Sequence, residues 1–456
     1  MKKNILLVFT TFFLITTACQ PTGYPQPNQA TNTSVASSTP TKTPMPTRSL
    51  STLQPTATLN GTNIFDPTYV PKSHILQNRL HTSCIQVQSS LPNSANRKLN
   101  LVLYDTLQNN VTFTQTLPDG EKTMLTDAIR DSIYVSPNRQ WLAYLRRIGP
   151  RKRQFELILQ SADGKTQKEI GADVGEIGWV SDWINDDYIA LALKSDNGDI
   201  LPLIAFNPFT NQQKSLQTDF PYQWNLDSWE WEGGGRAKYS PDLRHVIYPS
   251  SDSVFGNGVP RDVLWDTAKQ KEITAAMVGI TGNLSETPEW SPNGQLFALN
   301  LRGYYTDILI TTNIDGTATF MPDMLGLYPD AITRIHGWTW SPDSRFIAFW
   351  LQVYTNKTPV PNNENPLLEE RLMVLDVESG DITDYCAYGK QSTSPIGRGF
   401  VDYAPIWSPD GKSLLIERDI QGIKGKSRLI LLDLDQQMSY EIAEDVFPFG
   451  WMVSAP

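Results

Sequence analysis

The chain has 456 residues, a formal net charge of −10, and a composition that is 40% hydrophobic and 10% aromatic. Its thirteen tryptophans suffice for a large core, and its acidic charge gives no electrostatic reason to bind nucleic acid. The sequence contains four histidines, too few to favour a histidine-rich metal site or a histidine-based acid–base centre. We therefore expect no nucleic acid partner, no cofactor and no metal.

The N-terminus has the pattern of an export signal. Met1–Asn4 is positively charged, and the apolar stretch Ile5–Ile15 is too short to span a bilayer comfortably. The following Ala18-Cys19 resembles the end of the bacterial lipobox, which implies cleavage before Cys19 and lipid modification of its thiol. We expect residues 1–18 to be a lipoprotein signal peptide, and the exported protein to be lipid-anchored to a bacterial cell membrane on its extracytoplasmic side. The alternatives are an ordinary leader with a chance cysteine, or a retained membrane anchor.

Residues 19–60 are predicted to be a disordered tether. The segment is dominated by Thr, Pro, Ser, Asn and Gln, so it has few apolar groups to offset its ordering entropy. Proline-rich linkers favour extended conformations of about 3.1 Å per residue, so this segment could reach on the order of 100 Å. The alternative is plain disorder without a spacer role.

A short phrase recurs along the rest of the chain: an apolar or aromatic residue, Ser-Pro-Asp/Asn, a polar turn, and an apolar run. Its serines lie 45 to 67 residues apart, a spacing that indicates stacked or ring-closed repeats. Because proline presets φ and the Asp or Asn side chain bonds nearby amides, each copy predicts a tight turn between two strands. The copies are Val135-Ser136-Pro137-Asn138, the degraded Val180-Ser181-Asp182, Tyr239-Ser240-Pro241-Asp242, Trp290-Ser291-Pro292-Asn293, Trp340-Ser341-Pro342-Asp343 and Trp407-Ser408-Pro409-Asp410.

After each phrase comes a second hairpin of two apolar strands, often joined by an Asp-Gly turn. Two hairpins per repeat make the four-stranded sheet of a propeller blade. A seventh second hairpin, Leu101–Asp105 with Val111–Thr114, lacks a first strand, whereas Phe449–Ser454 is a first strand without a blade. We therefore predict an all-β propeller of seven blades over residues 80–456, closed by the C-terminal strand. Six blades remain the alternative if residues 80–117 pack outside the ring.

The phrases Trp340–Phe349 and Trp407–Gly411 closely resemble the WD40-like (PD40) propeller repeat of TolB-type periplasmic proteins, over roughly residues 130–420. The resemblance implies that the repeat is a scaffold, in which the tryptophan packs between blades and the aspartate secures the turn. It implies no catalytic residue. Peptidases with the same repeat need a Gly-x-Ser-x-Gly turn, and this motif, phosphate-binding loops and paired-cysteine metal motifs do not occur in the sequence. We therefore expect the protein not to be an enzyme.

The most distinctive segment outside the repeats combines five large aromatic residues with a triple glycine. Four of these aromatics could form an exposed stacking platform for a sugar ring or a peptide. In the alternative interpretation the tryptophans point inward and plug the fold. The candidate ligand-binding residues are Tyr222, Trp224, Trp229 and Trp231.

Two cysteines remain besides Cys19, namely Cys84 and Cys386. In an exported protein such a pair could oxidise to a disulfide. Because the blade count separates them by one blade, two buried free thiols are the alternative.

The leading functional hypothesis is a non-catalytic, lipid-anchored envelope propeller that binds a protein or peptide partner. The second hypothesis is a carbohydrate-binding or carbohydrate-acting propeller that uses the aromatic segment. The third is a structural envelope component without a discrete ligand.

Overall fold

The computed structural model describes residues 80–88, 99–105, 111–117, 120–125, 127–147, 155–170, 177–194, 200–215, 238–250, 261–273, 288–302, 307–314, 318–320, 328, 331–354, 367–387, 404–419 and 427–453. All of them belong to one compact unit, Leu59–Pro456, which is separate from Met1–Thr58. The predicted signal peptide 1–18, the lipidation site Cys19 and the predicted tether 19–60 lie outside the described residues. In the part of the chain that the structure describes, the regular secondary structure consists of β-strands.

In chain order the strands are β1 (Leu80–Thr82), β2 (Gln86–Gln88), β3 (Leu99–Asp105), β4 (Thr112–Leu117), β5 (Lys122–Met124), β6 (Ala128–Val135), β7 (Trp141–Arg147), β8 (Phe155–Ser161), β9 (Gln167–Ile170), β10 (Ile177–Trp183), β11 (Ile189–Lys194), β12 (Ile200–Phe206), β13 (Gln213–Ser215), β14 (Lys238–Tyr239), β15 (His245–Ser250), β16 (Arg261–Asp266), β17 (Lys271–Glu272), β18 (Glu289–Trp290), β19 (Leu296–Arg302), β20 (Asp307–Asn313), β21 (Ala318–Phe320), β22 (Ile332–Trp340), β23 (Phe346–Tyr354), β24 (Leu367–Asp376), β25 (Ile382–Asp384), β26 (Ile406–Trp407), β27 (Ser413–Asp419), β28 (Ser427–Asp433), β29 (Met438–Glu444) and β30 (Val446–Met452).

These strands form seven antiparallel blades of four strands arranged in a ring, so the predicted seven-bladed propeller is confirmed. Numbered from the ring axis outward, blade 1 is β30-β3-β4-β5, blade 2 is β6 to β9, and blade 3 is β10 to β13. Blades 4 to 7 follow in the same order as β14–β17, β18–β21, β22–β25 and β26–β29. The six-bladed alternative is wrong, because β3 and β4 are built into the ring.

The C-terminal strand closes the ring, as predicted. β30 pairs antiparallel with β3, with Trp451 opposite Leu101 and Phe447 opposite Tyr104. Blade 1 therefore combines strands from both ends of the chain. The closing strand begins at Val446, three residues before the predicted Phe449, and a single residue, Asp445, separates it from β29.

Residues 80–88, named here the N-terminal strap, lie outside the four-stranded blades. β1 adds to blade 6 in parallel with β25, and β2 adds to blade 7 in parallel with β29. The blade count from the sequence instead separates Cys84 from Cys386 by one blade. In the structure the strap covers the outer edges of two blades that form from the C-terminal third of the chain.

The second and third strands of the blades hold most of the core. Leu101, Leu142, Leu157 and Phe349 are fully buried, and so are their counterparts in other blades. These strands are covered on both faces by neighbouring blades, which explains their near-continuous apolar sequences.

The strand directions give the propeller two different faces. Six five-residue turns join the first strand to the second on one face, named here the turn face: residues 136–140, 184–188, 240–244, 291–295, 341–345 and 408–412. Because all neighbours in a blade are antiparallel, the links between second and third strands and the links between blades lie on the opposite face, named here the loop face. The loop-face links range from the single residue Asp445 to the twenty-two residues 216–237.

Candidate functional site

Each Ser-Pro-Asp/Asn phrase builds its turn around a buried serine. In blade 6, Ser341 Oγ donates to Asp343 Oδ1 and accepts the backbone N–H of Phe346 at 2.8 Å. The Asp343 carboxylate also accepts the N–H of Arg345, at 3.1 Å. The same three bonds recur in four other blades, at Ser136, Ser240, Ser291 and Ser408. The phrase is therefore a satisfied turn with no side chain left over for chemistry.

The residue before each serine, named here the anchor, links neighbouring blades. The indole Nε1 of Trp407 donates to the backbone oxygen of Thr339 in the preceding blade at 3.2 Å. The accepting residue always stands one position before the preceding blade's anchor. The other indole bonds are Trp183 to Tyr134, Trp290 to Lys238, Trp340 to Glu289, and Trp451 to Ile406. The scaffold role that the resemblance implied for the tryptophan thus has a defined hydrogen bond.

The anchor of blade 3 corrects one assignment made from the sequence. Val180-Ser181-Asp182 is not the sixth phrase, because these residues lie inside β10. The anchor is Trp183, and Asn185 caps the turn by accepting the N–H groups of Asp187 and Tyr188, each at 2.9 Å. This turn pairs Trp183 with Ile189, one residue closer than the other five phrases. A search for Ser-Pro-Asp misses this turn because Ile184-Asn185-Asp186 stands in place of the phrase.

Arg139 links the two neighbours of blade 1 on the turn face. In blade 1 no turn joins the first strand, β30, to the second strand, β3, because β3 comes from the N-terminal part of the propeller. The guanidinium Nη1 of Arg139 donates to the backbone oxygen of Trp407 in blade 7, and the backbone oxygen of Arg139 accepts the N–H of Val453 at 2.8 Å. Burial lowers the pKa of Arg139 to about 10, and the nearby Asp410 carboxylate offsets only part of this effect. Arg139 therefore ties blades 2 and 7 across the C-terminal end of the ring.

Three charged side chains meet on the first strands of blades 3, 4 and 5. Lys238 Nζ lies 2.9 Å from Asp182 Oδ2 and 3.6 Å from Glu289 Oε1. Burial lowers the pKa of Lys238, but the charges of Asp182 and Glu289 outweigh it and hold the pKa above its usual value. Burial and the Asp182 charge raise the pKa of Glu289, although Lys238 opposes them. The cluster replaces the indole bond that blade 4 lacks, because its anchor is Tyr239.

A buried polar network occupies the half of blade 6 nearest the loop face. His336 Nε2 donates to Glu370 Oε1 at 2.7 Å, and Gln352 Nε2 donates to the same oxygen at 3.0 Å. Tyr354 donates its hydroxyl to Gln352 Oε1 at 2.8 Å. Glu370 is only 2% exposed, so this carboxylate is retained in the core through its two donors.

This network positions the ends of two long loop-face links. Tyr354 is the last residue before residues 355–366, and Glu370 follows the same link by a few positions. Beside His336, Gly337 has φ +55°, and a Cβ at this position would lie 3.1 Å from the backbone nitrogen of Ala404. The network holds Tyr354 and Glu370 on the two sides of the link 355–366, and the close approach of Gly337 to Ala404 fixes the end of the link 385–405.

Sequence reasoning missed this network. His336, Gln352 and Glu370 are scattered over thirty-five residues, and only the pairing of β22, β23 and β24 brings them together. A usable signal was present, because polar residues interrupt three unusually long apolar strands, and Gln352 and Glu370 are direct cross-strand partners. In the part of the chain that the structure describes, no three His, Cys, Asp or Glu side chains are grouped as metal ligands.

The predicted site residues have different outcomes. Tyr222, Trp224, Trp229 and Trp231 lie outside the described residues, so neither the platform nor the plug is tested. Cys84 and Cys386 form a disulfide, with their Cα atoms 4.8 Å apart. Their expected separation by one blade does not apply, because the N-terminal strap runs back over blades 6 and 7. Within the described ranges no helix is long and apolar enough to cross a bilayer.

Comparison with known proteins finds no match by sequence and only distant structural similarity. No protein-family model matches the sequence, and no curated protein matches it. TolB from Acinetobacter baumannii is 13% identical with a TM-score of 0.38, covering 79% of this chain and 68% of TolB. A putative TolB from Agrobacterium tumefaciens is 14% identical, with a TM-score of 0.36 and coverages of 70% and 96%. An oligogalacturonate lyase from Vibrio parahaemolyticus is 12% identical, with a TM-score of 0.35 and coverages of 74% and 97%.

Proposed function

We propose that the chain is a non-catalytic, lipid-anchored protein of the bacterial cell envelope whose propeller binds a protein or peptide partner through the loop face. The observation that carries this proposal is the contrast in link length between the two faces. The six turns between first and second strands all have five residues, whereas loop-face links reach twenty-two. Recognition resides in variable loops that a rigid scaffold positions.

The long links are concentrated in one sector of the loop face. Residues 216–237, 273–288, 355–366 and 385–405 all connect strands of blades 3 to 7, whereas blades 1 and 2 are joined by residues 125–127. Loops of this length are uncommon in compact domains unless they serve a function. We therefore place the partner over blades 3 to 7, beside the polar network of blade 6.

Capture of a partner from envelope extracts tests this proposal. The full chain serves as bait, alongside a loop-face variant with Trp224→Ala and Trp229→Ala. Phe209→Ala is the matched control, because Phe209 is an exposed aromatic residue in a turn-face hairpin. We expect the loop-face variant to lose a specific partner that the control retains. Equal capture by both variants would refute loop-face recognition, and no specific partner for the unaltered chain would refute the binding function.

The place of the aromatic segment supports carbohydrate binding as a second candidate. Ser215 and Lys238, the described residues on either side of 216–237, end and begin strands at the loop face. Tyr222, Trp224, Trp229 and Trp231 then belong to a link on the recognition face. A glycan array distinguishes the candidates: a signal that disappears in the Trp224→Ala, Trp229→Ala variant favours carbohydrate, and no signal removes this candidate.

The lipid anchor has a separate test. We expect cells fed a labelled fatty acid to incorporate label into the full chain and not into the Cys19→Ser variant. Cys84→Ser is the control, since it removes a different cysteine. Equal labelling with and without Cys19 would contradict the anchor, and would leave loop-face binding as a separate question.

A further inference from the structure

The N-terminal strap is attached by few noncovalent contacts. β1 and β2 each pair with their neighbour over three residues. Between these strands, the N–H groups of Ser83, Ile85 and Gln86 donate to backbone oxygens of blades 6 and 7 over 2.9 to 3.2 Å. Leu80 and Ile85 pack against the clusters between blades, whereas four other strap residues are exposed: His81, Thr82, Cys84 and Gln86.

The free energy that these contacts contribute is close to the entropic cost of ordering the strap. Ordering the backbone of one residue costs about as much free energy as one net hydrogen bond contributes. Among the strap side chains that the structure describes, Leu80 and Ile85 add two partly buried apolar groups to that balance. Gln437 Nε2 also donates to Ser83 Oγ at 2.6 Å, and Ser439 Oγ donates to the backbone oxygen of Gln86 at 3.2 Å. The disulfide between Cys84 and Cys386 adds a covalent attachment to these contacts.

The disulfide is accessible to thiol exchange at the sulfur of Cys84. Cys84 is exposed and Cys386 is half-buried. A thiolate of a dithiol reductant can attack the sulfur of Cys84, so that Cys386 leaves as a thiolate and takes up a proton. The second thiol of the reductant then displaces Cys84. Two electrons and two protons pass to the cysteines, and the reductant becomes a disulfide.

We propose that the strap is a redox-controlled clasp. In the oxidised protein the disulfide holds residues 80–88 over the outer edges of β25 and β29. Reduction by a dithiol releases the strap and uncovers both strand edges, while the seven blades stay folded, because their cores lie inside the four-stranded sheets. The clasp does not depend on what the loop face binds.

Amide hydrogen exchange followed by mass spectrometry tests the clasp. The full chain with Cys19→Ser is used, because Cys84 and Cys386 are then its only cysteines. After addition of dithiothreitol we expect exchange in residues 80–88 to become at least tenfold faster. Exchange in the paired strands β27 and β28 of blade 7, to which β2 of the strap is attached, should stay unchanged. Reducing a protein that is already folded removes any dependence on refolding.

The Cys386→Ser variant is the second arm, and without reductant it should reproduce the fast exchange of the reduced strap. If the strap stays protected after complete reduction, pairing alone holds it and the proposal is overturned. If β27 and β28 lose protection together with the strap, the disulfide stabilises the propeller itself and not the strap alone. That result would also overturn the proposal. A mass tag on free thiols verifies that reduction is complete.

Discussion

The turn face and the loop face of this propeller are built by opposite rules. On the turn face, six links of equal length are closed by a buried serine in five blades and by Asn185 in blade 3, and hydrogen bonds join neighbouring turns. Asn138 N–H, for example, donates to Asp186 Oδ1 of the next blade at 2.7 Å, and Asn185 Nδ2 donates to the backbone oxygen of Pro241 at 2.7 Å. On the loop face the lengths vary more than tenfold.

The difference shows where sequence is constrained by the fold and where it is free. A residue of the turn face satisfies bonds that hold two blades, so a change there alters stability. Insertions in a long link cost little loop-closure entropy. The most repetitive part of the sequence therefore serves the scaffold, and the proposed function is assigned to the links that interrupt it.

The largest effect is expected at an anchor tryptophan. Trp407 is 2% exposed and bonds Thr339 of the preceding blade, so Trp407→Ala removes a buried aromatic ring and a link between blades. We expect the free energy of unfolding, measured by chemical denaturation, to fall by about 3–5 kcal/mol. Trp141→Ala, at a half-buried tryptophan that is not an anchor, should cost less. Equal losses would contradict the special role of the anchor.

Insertions compare the two faces directly. Two glycines inserted after Pro342 separate Ser341 from its partners in the turn, and we expect a loss of about 2–3 kcal/mol of unfolding free energy. The same two glycines inserted after Asn362, within the link 355–366, should change it by less than about 0.6 kcal/mol. Similar losses at both sites would break the distinction between the faces.

A single hydroxyl group sharpens the comparison within blade 6. Ser341→Ala leaves the N–H of Phe346 without its acceptor, and we expect a loss of about 1–2 kcal/mol in the same denaturation experiment. Ser379→Ala is the control, because Ser379 is exposed in the outer hairpin of the same blade, and its removal should cost under about 0.5 kcal/mol. A cost at Ser341 no larger than at Ser379 would count against the turn as a structural device.

The smallest expected effect is on the pH dependence of the free energy of unfolding. His245 begins β15 directly after a turn of the turn face, and burial lowers its pKa, although Asp242 and Asp266 oppose the shift and Lys269 and Arg244 add to it. The unfolded chain, with an imidazole pKa near 6.5, therefore binds the proton more readily. Stability should be complete above about pH 6.5 and fall as the pH drops toward the folded-state value.

The slope from one such proton cannot exceed about 1.4 kcal/mol per pH unit. Unfolding free energies between pH 7.5 and 5.5 should fall less steeply for His245→Gln than for the unaltered chain. An unchanged slope would show that other groups cause the acid sensitivity.

Much of the scaffold was predictable because its signals are local. A phrase such as Trp340-Ser341-Pro342-Asp343 contains the anchor, the turn serine and the capping carboxylate within four residues, so repetition alone revealed blades and their number. The turn of blade 3 was assigned to Val180-Ser181-Asp182 because Ile184-Asn185-Asp186 stands there in place of Ser-Pro-Asp. The capping bonds survived in a sequence that no longer matched the phrase.

The sequence by itself determined the all-β class, the seven blades and the closing strand, because turn chemistry and strand alternation act over a few residues. Only the tertiary structure decided that residues 80–88 cover blades 6 and 7, that Cys84 meets Cys386, and that His336, Gln352 and Glu370 share one network. These contacts join residues far apart in the chain, and their formation depends on the path of residues 80–88 and on strand register. Local pattern carries no record of either.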